Sequence, residues 1–388
     1  MGPTLDLRRA MAYLAVVTVL TVIHGFALGW QLPLDLAVYE RGGADSLSGA
    51  DDLYGPRPGQ LPFTYPPLAA LLFAPLHALP APVTMLVVAW LSYASLAVLV
   101  MIGLLMAPGI DPRLGPVATV AAALLEPVAE TLRFGQVNLV LAALVAVDLL
   151  LIPRRWRGLL LAVAISIKLT PGIFLLVPLA RRDWRTLVRA MSATVALSAA
   201  PMLFLPHSWY DFWFRAIRDP QRVGGVEYLS NQSISGAAWR LMGEGGVPLV
   251  VLAMQLGVVG IAAFAMLRAR SRDPLASVLI AAVAGLLVSP ISWIHHWVWI
   301  TLLAPWFVLE GLRPGRSPRW LRTAMLSTAL AWLLVTATRL VWLAPDGHHL
   351  EYSAGTALIS RSGNGSGCAM KPQCHVPITH ALVGFVQT

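Results

Sequence analysis

Residues 10–28 carry no Asp, Glu, Lys or Arg, and apolar runs of similar length recur along the chain. About 20 such residues cross the hydrocarbon core of a bilayer as one helix. The clearest further runs are 83–106, 115–131, 137–152, 186–205, 247–267, 274–289, 293–311 and 321–343. Helices are the form open to them, because in lipid each segment must satisfy its own backbone N–H and C=O groups. Only 12% of the 388 residues are charged and 57% are hydrophobic. A soluble domain carries about 25% charged residues. A soluble globular enzyme, a disordered chain and a nucleic-acid-binding module are therefore excluded. The expected fold is all-α, a polytopic membrane helical bundle of about ten to twelve transmembrane or re-entrant helices.

The net charge of +9 does not mark a polyanionic partner. The only lysines are Lys168 and Lys371, and most of the arginines sit in short clusters between apolar runs, for example 154–157, 181–189, 268–272 and 313–322. Such clusters are what the positive-inside rule predicts for cytoplasmic loop ends. Arg8-Arg9 precedes the first run, which has no small-residue cleavage site after it and is long enough to span. It reads as a first transmembrane helix entering from the cytoplasmic side, which makes the large first loop, 31–64, extracytoplasmic. A second long loop covers 206–246. Both are rich in aromatics, including Tyr39, Tyr54, Tyr65, Trp209, Tyr210, Trp213 and Tyr228, and both read as ordered caps on the membrane surface.

Segment 158–180 is broken at Ile167-Lys168-Leu169-Thr170-Pro171-Gly172 and has arginines at both ends. A re-entrant hairpin of two half-helices fits this pattern better than one straight span. Irregular backbone at membrane depth belongs beside a cavity, so Lys168 is expected to face one. Segment 66–79 is short and opens on Pro66-Pro67.

Acidic residues are scarce, so their positions carry information. Asp35 stands just past the first helix among apolar neighbours, where a carboxylate gains proton affinity and can serve as a base. The alternative is an ordinary solvated loop charge. Asp51 and Asp52 read as surface turn residues. Ser289 to Trp299 contains the adjacent His295 and His296 among Trp293, Trp297 and Trp299. Neighbouring helical positions point apart, so one histidine is expected to face a cavity and the other to pack in the bundle. A purely structural pair is the competing reading. No carboxylate or cysteine lies near enough in sequence to complete a metal set, and neither a metal nor a cofactor is expected. Arg133, Gln136, Asn138, Lys168, Asn231, Gln232 and Arg240 sit at apolar boundaries. Each serves either as a cap or as a ligand, and Lys168, Arg133 and Arg240 suit a phosphate. No nucleotide-binding loop or nucleophile elbow is present. Cys368 and Cys374 either pair in an oxidising compartment or stay free thiols.

Several stretches together resemble one family: Asp35-Leu36-Ala37-Val38-Tyr39, Phe63 to Phe73, Phe134-Gly135-Gln136-Val137-Asn138, Ile167 to Pro171, and Ser289 to Trp299. In that order they are similar to the actinobacterial polyprenol-phosphate-mannose-dependent α-(1→2)-mannosyltransferases, glycosyltransferase family 87, of the GT-C membrane fold. The resemblance covers roughly residues 5–345. It implies a glycosyltransferase domain over 1–346 and an atypical tail over 347–388.

It also implies a polyprenyl-phosphate-mannose donor and a glycolipid acceptor resembling a phosphatidylinositol mannoside, meeting at the outer face of the plasma membrane. The implied reaction inverts a β-linked donor to an α product, with Asp35 as general base. His295 or His296 would contact the departing phosphate or orient the sugar. Lys168 and Arg240, with Gln136, Asn138, Asn231 and Gln232, would bind donor phosphate or sugar, while Tyr39, Tyr65 and Trp293 would line the cavity. Two rivals remain at this point: a transferase of the same fold using polyprenyl-phosphate arabinose, and a lipid transporter or flippase, since broken helices are also a transporter trait.

Overall fold

A computed structural model describes residues 7–49, 51–55, 57, 59–107, 110–243, 248–269, 273–313 and 318–339. The tail 347–388, with Cys368 and Cys374, lies outside them. The described residues are mostly helical, and their only strand-like pairing is an isolated bridge between Asn231 and Trp293.

The helices run in order: α1 (Leu7–Ala27), α2 (Leu34–Leu47), α3 (Pro67–His77), α4 (Ala81–Leu105), α5 (Gly115–Ala123), α6 (Glu126–Phe134), α7 (Asn138–Leu150) and α8 (Leu159–Ile167). They continue with α9 (Leu176–Ala180), α10 (Trp184–Ala199), α11 (Pro206–Phe214), α12 (Ile234–Met242), α13 (Pro248–Ala269), α14 (Pro274–Val288), α15 (Ile300–Leu312) and α16 (Arg319–Thr338). Among them α1, α4, α10 with the 3₁₀ turn after it, α13 and α16 are five helices long and apolar enough to cross a membrane. The pair α6–α7 adds a sixth candidate crossing, bent by 117°. Leu249, Leu256, Ile261 and Phe264 are exposed on α13, as a lipid-facing helix requires. The chain is a multi-pass membrane protein.

Two expected spans are remodelled by their own residues. Run 115–131 breaks after α5 and restarts as α6, where Pro127 occupies the first turn and Glu126, Glu130 and Arg133 make the helix amphipathic. Run 293–311 opens as a 3₁₀ turn, Ile294–Trp299, in which Trp297 leaves helical geometry (φ −79°, ψ 23°) before α15 begins.

The main core packs α4, α7, α8 and α14 through Leu96, Leu99, Leu139, Leu161 and Leu279. Ala276, Ala281, Ala282 and Ala284 are buried on α14, and small residues of this kind let helices approach closely in lipid. A second cluster joins α2, α3 and α4 through Leu36, Tyr39, Phe73 and Met85. Gly43 permits that contact, because a Cβ there would lie 2.6 Å from the Phe73 carbonyl oxygen.

The 158–180 hairpin is present. α8 starts at Gly158, which has φ +102° and whose absent Cβ would meet Thr186 O at 2.8 Å. Asp148 of α7 accepts from the Gly158 and Leu160 amides at 2.6 and 3.2 Å, satisfying two of the free N–H groups at a helix start. The chain turns at Lys168, in extended geometry, and returns through α9. Arg189 of α10 then donates to the Arg154 and Arg157 carbonyls, both at 2.8 Å. Both arms therefore begin and end at one arginine-rich end, with Lys168 at the other.

The two long loops meet at Asp51. Its carboxylate accepts from the His207 and Ser208 amides, at 2.7 and 2.9 Å, and so caps the start of α11. Asp51 is therefore no simple surface turn residue: the unpaired N–H groups at a helix N-terminus attract a carboxylate.

Candidate active site

Three elements converge at the end away from the arginine clusters. The first is the start of α2. Pro33 sets the helix entry and places Asp35 in the first turn, where a helix favours negative charge. Four residues later Tyr39 falls on the same face. The second is the sharp turn between α6 and α7. Gly135 takes φ +68° there, and a Cβ would meet Leu36 Cβ at 2.8 Å and Pro33 Cβ at 3.1 Å. That close approach brings Gln136 against α2. The third is the 3₁₀ turn carrying His295 and His296.

These elements surround a cavity of about 680 Å³, with Asp35, Tyr39, Tyr65, Gln136, Lys168, Trp293, His295 and His296 among its lining. Burial pushes the Asp35 carboxyl up to about 6, although a hydrogen bond from Gln136 and the charge of Lys168 both pull it down. Tyr39 Oη and Tyr65 Oη approach Gln136 Oε1 at 2.8 and 3.0 Å and each other at 2.7 Å.

Lys168 is held at Nζ by Asn138 Oδ1 at 3.0 Å and His296 Nε2 at 3.2 Å. An ammonium only donates, so His296 Nε2 accepts and its ring proton sits on Nδ1. The His295 carbonyl receives Thr131 Oγ1 at 2.7 Å and Asn138 Nδ2 at 3.0 Å, which pins the backbone at the pair. His295 is 7% exposed, and its Nε2 has no hydrogen-bond partner. A buried polar atom in that state is costly, and this one belongs to a side chain lining the cavity.

Both histidines line the cavity, which corrects the expectation that one of them packs in the bundle. The 3₁₀ geometry sets the two rings perpendicular, with centroids 4.8 Å apart.

Five expected ligands are used otherwise. Arg240 donates to the Tyr228 and Asn231 carbonyls at 3.1 and 2.9 Å. Asn231, fully buried, donates to Val226 O and Pro290 O and accepts from the Ser233 and Ser292 amides. Gln232 donates its side-chain amide to Leu229 O at 2.6 Å and its backbone N–H to Ser292 O at 2.8 Å. Asn231 and Gln232 fasten the second loop to the double-histidine segment, and Arg240 braces the loop internally, because loop carbonyls far from water need donors. Asn138 is not in the cavity lining and acts through two residues that are, holding Lys168 Nζ and the His295 carbonyl. Arg133 pairs with Glu130 at 3.0 Å and lies over the Phe134 ring.

Residues missed at the sequence level come from the second loop. Arg222 lines the cavity with Asp219 and Glu227; it donates to Tyr54 O at 3.0 Å and lies 5.5 Å from the Tyr54 ring centroid. Gly224 (φ +131°) lets the loop approach Trp293, which a Cβ would meet at 2.9 Å. The aromatic density of 206–246 was the only signal for this wall.

Against this geometry, the sequence pattern of glycosyltransferase family 87 matches residues 63–290. The chain belongs to glycosyltransferase family 87. It is 34% identical over 365 residues to a polyprenol-phosphate-mannose-dependent alpha-(1-2)-phosphatidylinositol mannoside mannosyltransferase of Mycolicibacterium smegmatis, covering 83% of this chain and 81% of that protein. It is 35% identical over 351 residues to the protein of the same description from Mycobacterium tuberculosis, covering 80% and 79%. A third relative, the M. smegmatis phosphatidylinositol pentamannoside mannosyltransferase, is 34% identical over 327 residues, covering 80% and 78%. No solved structure matches significantly. The family pattern starts after Asp35 and stops before His295, so two of the three converging elements lie outside it.

Proposed function

We propose that this family 87 member transfers mannose from polyprenyl-phosphate-mannose to a mannosylated phosphatidylinositol-type glycolipid, in α-(1→2) linkage and with inversion. One observation carries this reading: a single cavity brings together a carboxylate of raised proton affinity, a lysine and a buried histidine with an unpartnered ring nitrogen. Asp35 takes the proton from the acceptor 2-hydroxyl, and that oxygen attacks the anomeric carbon. The bond to the donor phosphate breaks on the opposite face, and polyprenyl phosphate leaves with the electron pair. A base whose pKa lies near the working pH is suited to this step. Lys168 and His295 meet the charge that develops on the phosphate. Tyr39, Tyr65 and Trp293 form walls against which the sugar lies, while the lipid tails stay in the bilayer.

The cavity lies at the end opposite the arginine clusters, and this supports an active site facing the outside of the plasma membrane. Ser48, in the 31–64 loop, is exposed. A membrane-impermeant thiol reagent should label Ser48→Cys in intact cells in a background lacking Cys368 and Cys374.

The deciding assay uses purified protein in nanodiscs with radiolabelled polyprenyl-phosphate mannose, or the arabinose analogue, and a mannosylated phosphatidylinositol. An α-(1→2)-mannosylated product from the mannose donor alone is expected. Transfer from the arabinose donor alone, or from neither, overturns the reading.

A further inference from the structure

Gln136 is engaged by two tyrosines on its carbonyl side. Its backbone is locked by the α6–α7 turn, where its N–H donates to Thr131 O at 2.9 Å and the Gly135 N–H to Leu132 O at 3.0 Å. Its Oε1 faces two tyrosyl oxygens, at 2.8 and 3.0 Å, that are themselves 2.7 Å apart. Two phenolic protons serve these three contacts. Both protons go to Oε1, or one tyrosine donates to the other and the second donates to Oε1. In every arrangement that keeps both protons inside the triangle, Oε1 receives at least one. The carbonyl end of the amide therefore belongs to the tyrosines, which leaves the NH₂ end for Asp35: both residues line the cavity, and Gly135, next to Gln136, packs against Pro33 and Leu36 on either side of Asp35.

The tyrosines are themselves buried and packed against other rings. Tyr39 is 1% exposed and stacks on Phe73, with ring centroids 4.5 Å apart at 16°. Tyr65 is 6% exposed and meets Tyr39 edge-on at 5.1 Å. Its ring also lies 5.4 Å from Lys168 Nζ. Burial raises the proton affinity of both phenols, so they remain donors at neutral pH. Two neutral tyrosines beside a carboxylate are otherwise hard to explain as core packing, because apolar rings would fill the same space without polar groups to satisfy.

We propose that Tyr39, Tyr65 and Gln136 are a positioning relay: the tyrosine pair fixes the orientation of the Gln136 amide, and its NH₂ group keeps Asp35 ionised and aimed into the cavity. Gln136 thus serves the base and not the sugar, contrary to its sequence-based assignment. The proposal rests on Asp35 being the base, and the same experiment separates the two claims.

The test is the pH profile of kcat/KM for mannose transfer in nanodiscs. The wild-type acid limb is expected near pH 6. A hydrogen bond to a charged group shifts a pKa by about one unit, so Gln136→Leu should move the limb up by about that much. Its deficit against wild type is then about eightfold larger at pH 5.5 than at pH 8.5. Gln136→Glu places a second carboxylate beside the first and should move the limb further, since like charges raise one of the two pKa values. Tyr39→Phe/Tyr65→Phe keeps both rings and frees the amide, so its limb should also rise. That double variant decides the matter if Gln136→Leu fails to fold. A deficit uniform across pH in these variants, with Asp35→Asn inactive, would leave the base in place and overturn the relay. Activity in Asp35→Asn would overturn the base reading itself.

Discussion

Asp35→Asn should abolish turnover and, at neutral pH, make the protein more stable. The carboxyl is held at about 6 in the folded protein against 3.8 ordinarily, chiefly by burial. At about 1.4 kcal/mol per pKa unit, ionised Asp35 costs the folded state at most about 3 kcal/mol above pH 6. Asparagine is uncharged at every pH and close in shape, so it escapes that cost. The sign follows from linkage: the folded pKa is the higher one, so the penalty is full above about pH 6. It shrinks as pH falls towards 3.8 and is gone below that, where aspartate is protonated in both states. The assay is a thermal-unfolding series of wild type and Asp35→Asn in one detergent, between pH 4 and 8. The variant should melt higher at pH 7.5, and the difference should close by pH 4. Radiolabel transfer should fall by at least about 10²-fold, as expected on loss of a general base. A melting difference independent of pH, or one favouring wild type at pH 7.5, would refute the burial argument. Turnover within tenfold of wild type would refute the assignment of the base.

Lys168→Met removes the positive charge that pulls Asp35 down, so the acid limb of kcat/KM should rise, and the donor KM should increase about tenfold or more; steady-state kinetics across pH check both. His295→Ala removes the unpartnered Nε2 and should raise the KM for polyprenyl-phosphate-mannose more than that for the acceptor, read by varying each substrate in turn. Gly135→Ala forces a Cβ to within 2.8 Å of Leu36 at φ +68°, so it should lower the melting temperature and, by pushing Gln136 off α2, also lower kcat. Asp51→Ala leaves the start of α11 uncapped and should cost about 1–2 kcal/mol, seen as a lower melting temperature and faster proteolysis of the 31–64 loop.

The membrane architecture was legible because hydrocarbon imposes a composition that nothing else does. The hairpin at Lys168 was legible because two arginine clusters bracketed a single apolar run, and Arg189 now reaches the carbonyls of Arg154 and Arg157. The break in 115–131 was hidden by run length, although Glu126, Glu130 and Pro127 supply its cause. Asp51 was misjudged because its partner, the α11 start, lies 156 residues away.

In the site, residue type alone did not separate ligands from scaffold. Arg240, Asn231 and Gln232 looked like Lys168 and His295 in sequence: polar groups at an apolar boundary. What divides them is where their hydrogen-bonding capacity goes. Asn231 spends all four of its bonds on backbone groups of two segments, and Arg240 caps two carbonyls of the loop it follows. His295 keeps Nε2 unpartnered, and Asp35 keeps a face on the cavity. Buried polar groups in a membrane protein must be satisfied by something. Those satisfied by backbone hold the fold, and those still short of a partner beside a cavity are where substrate has to complete the set. Gln136 belongs to neither group alone, since its carbonyl is bound by tyrosines and its amide by the base. The single turn that carries Gln136 therefore joins the packing of α2 to the protonation of Asp35.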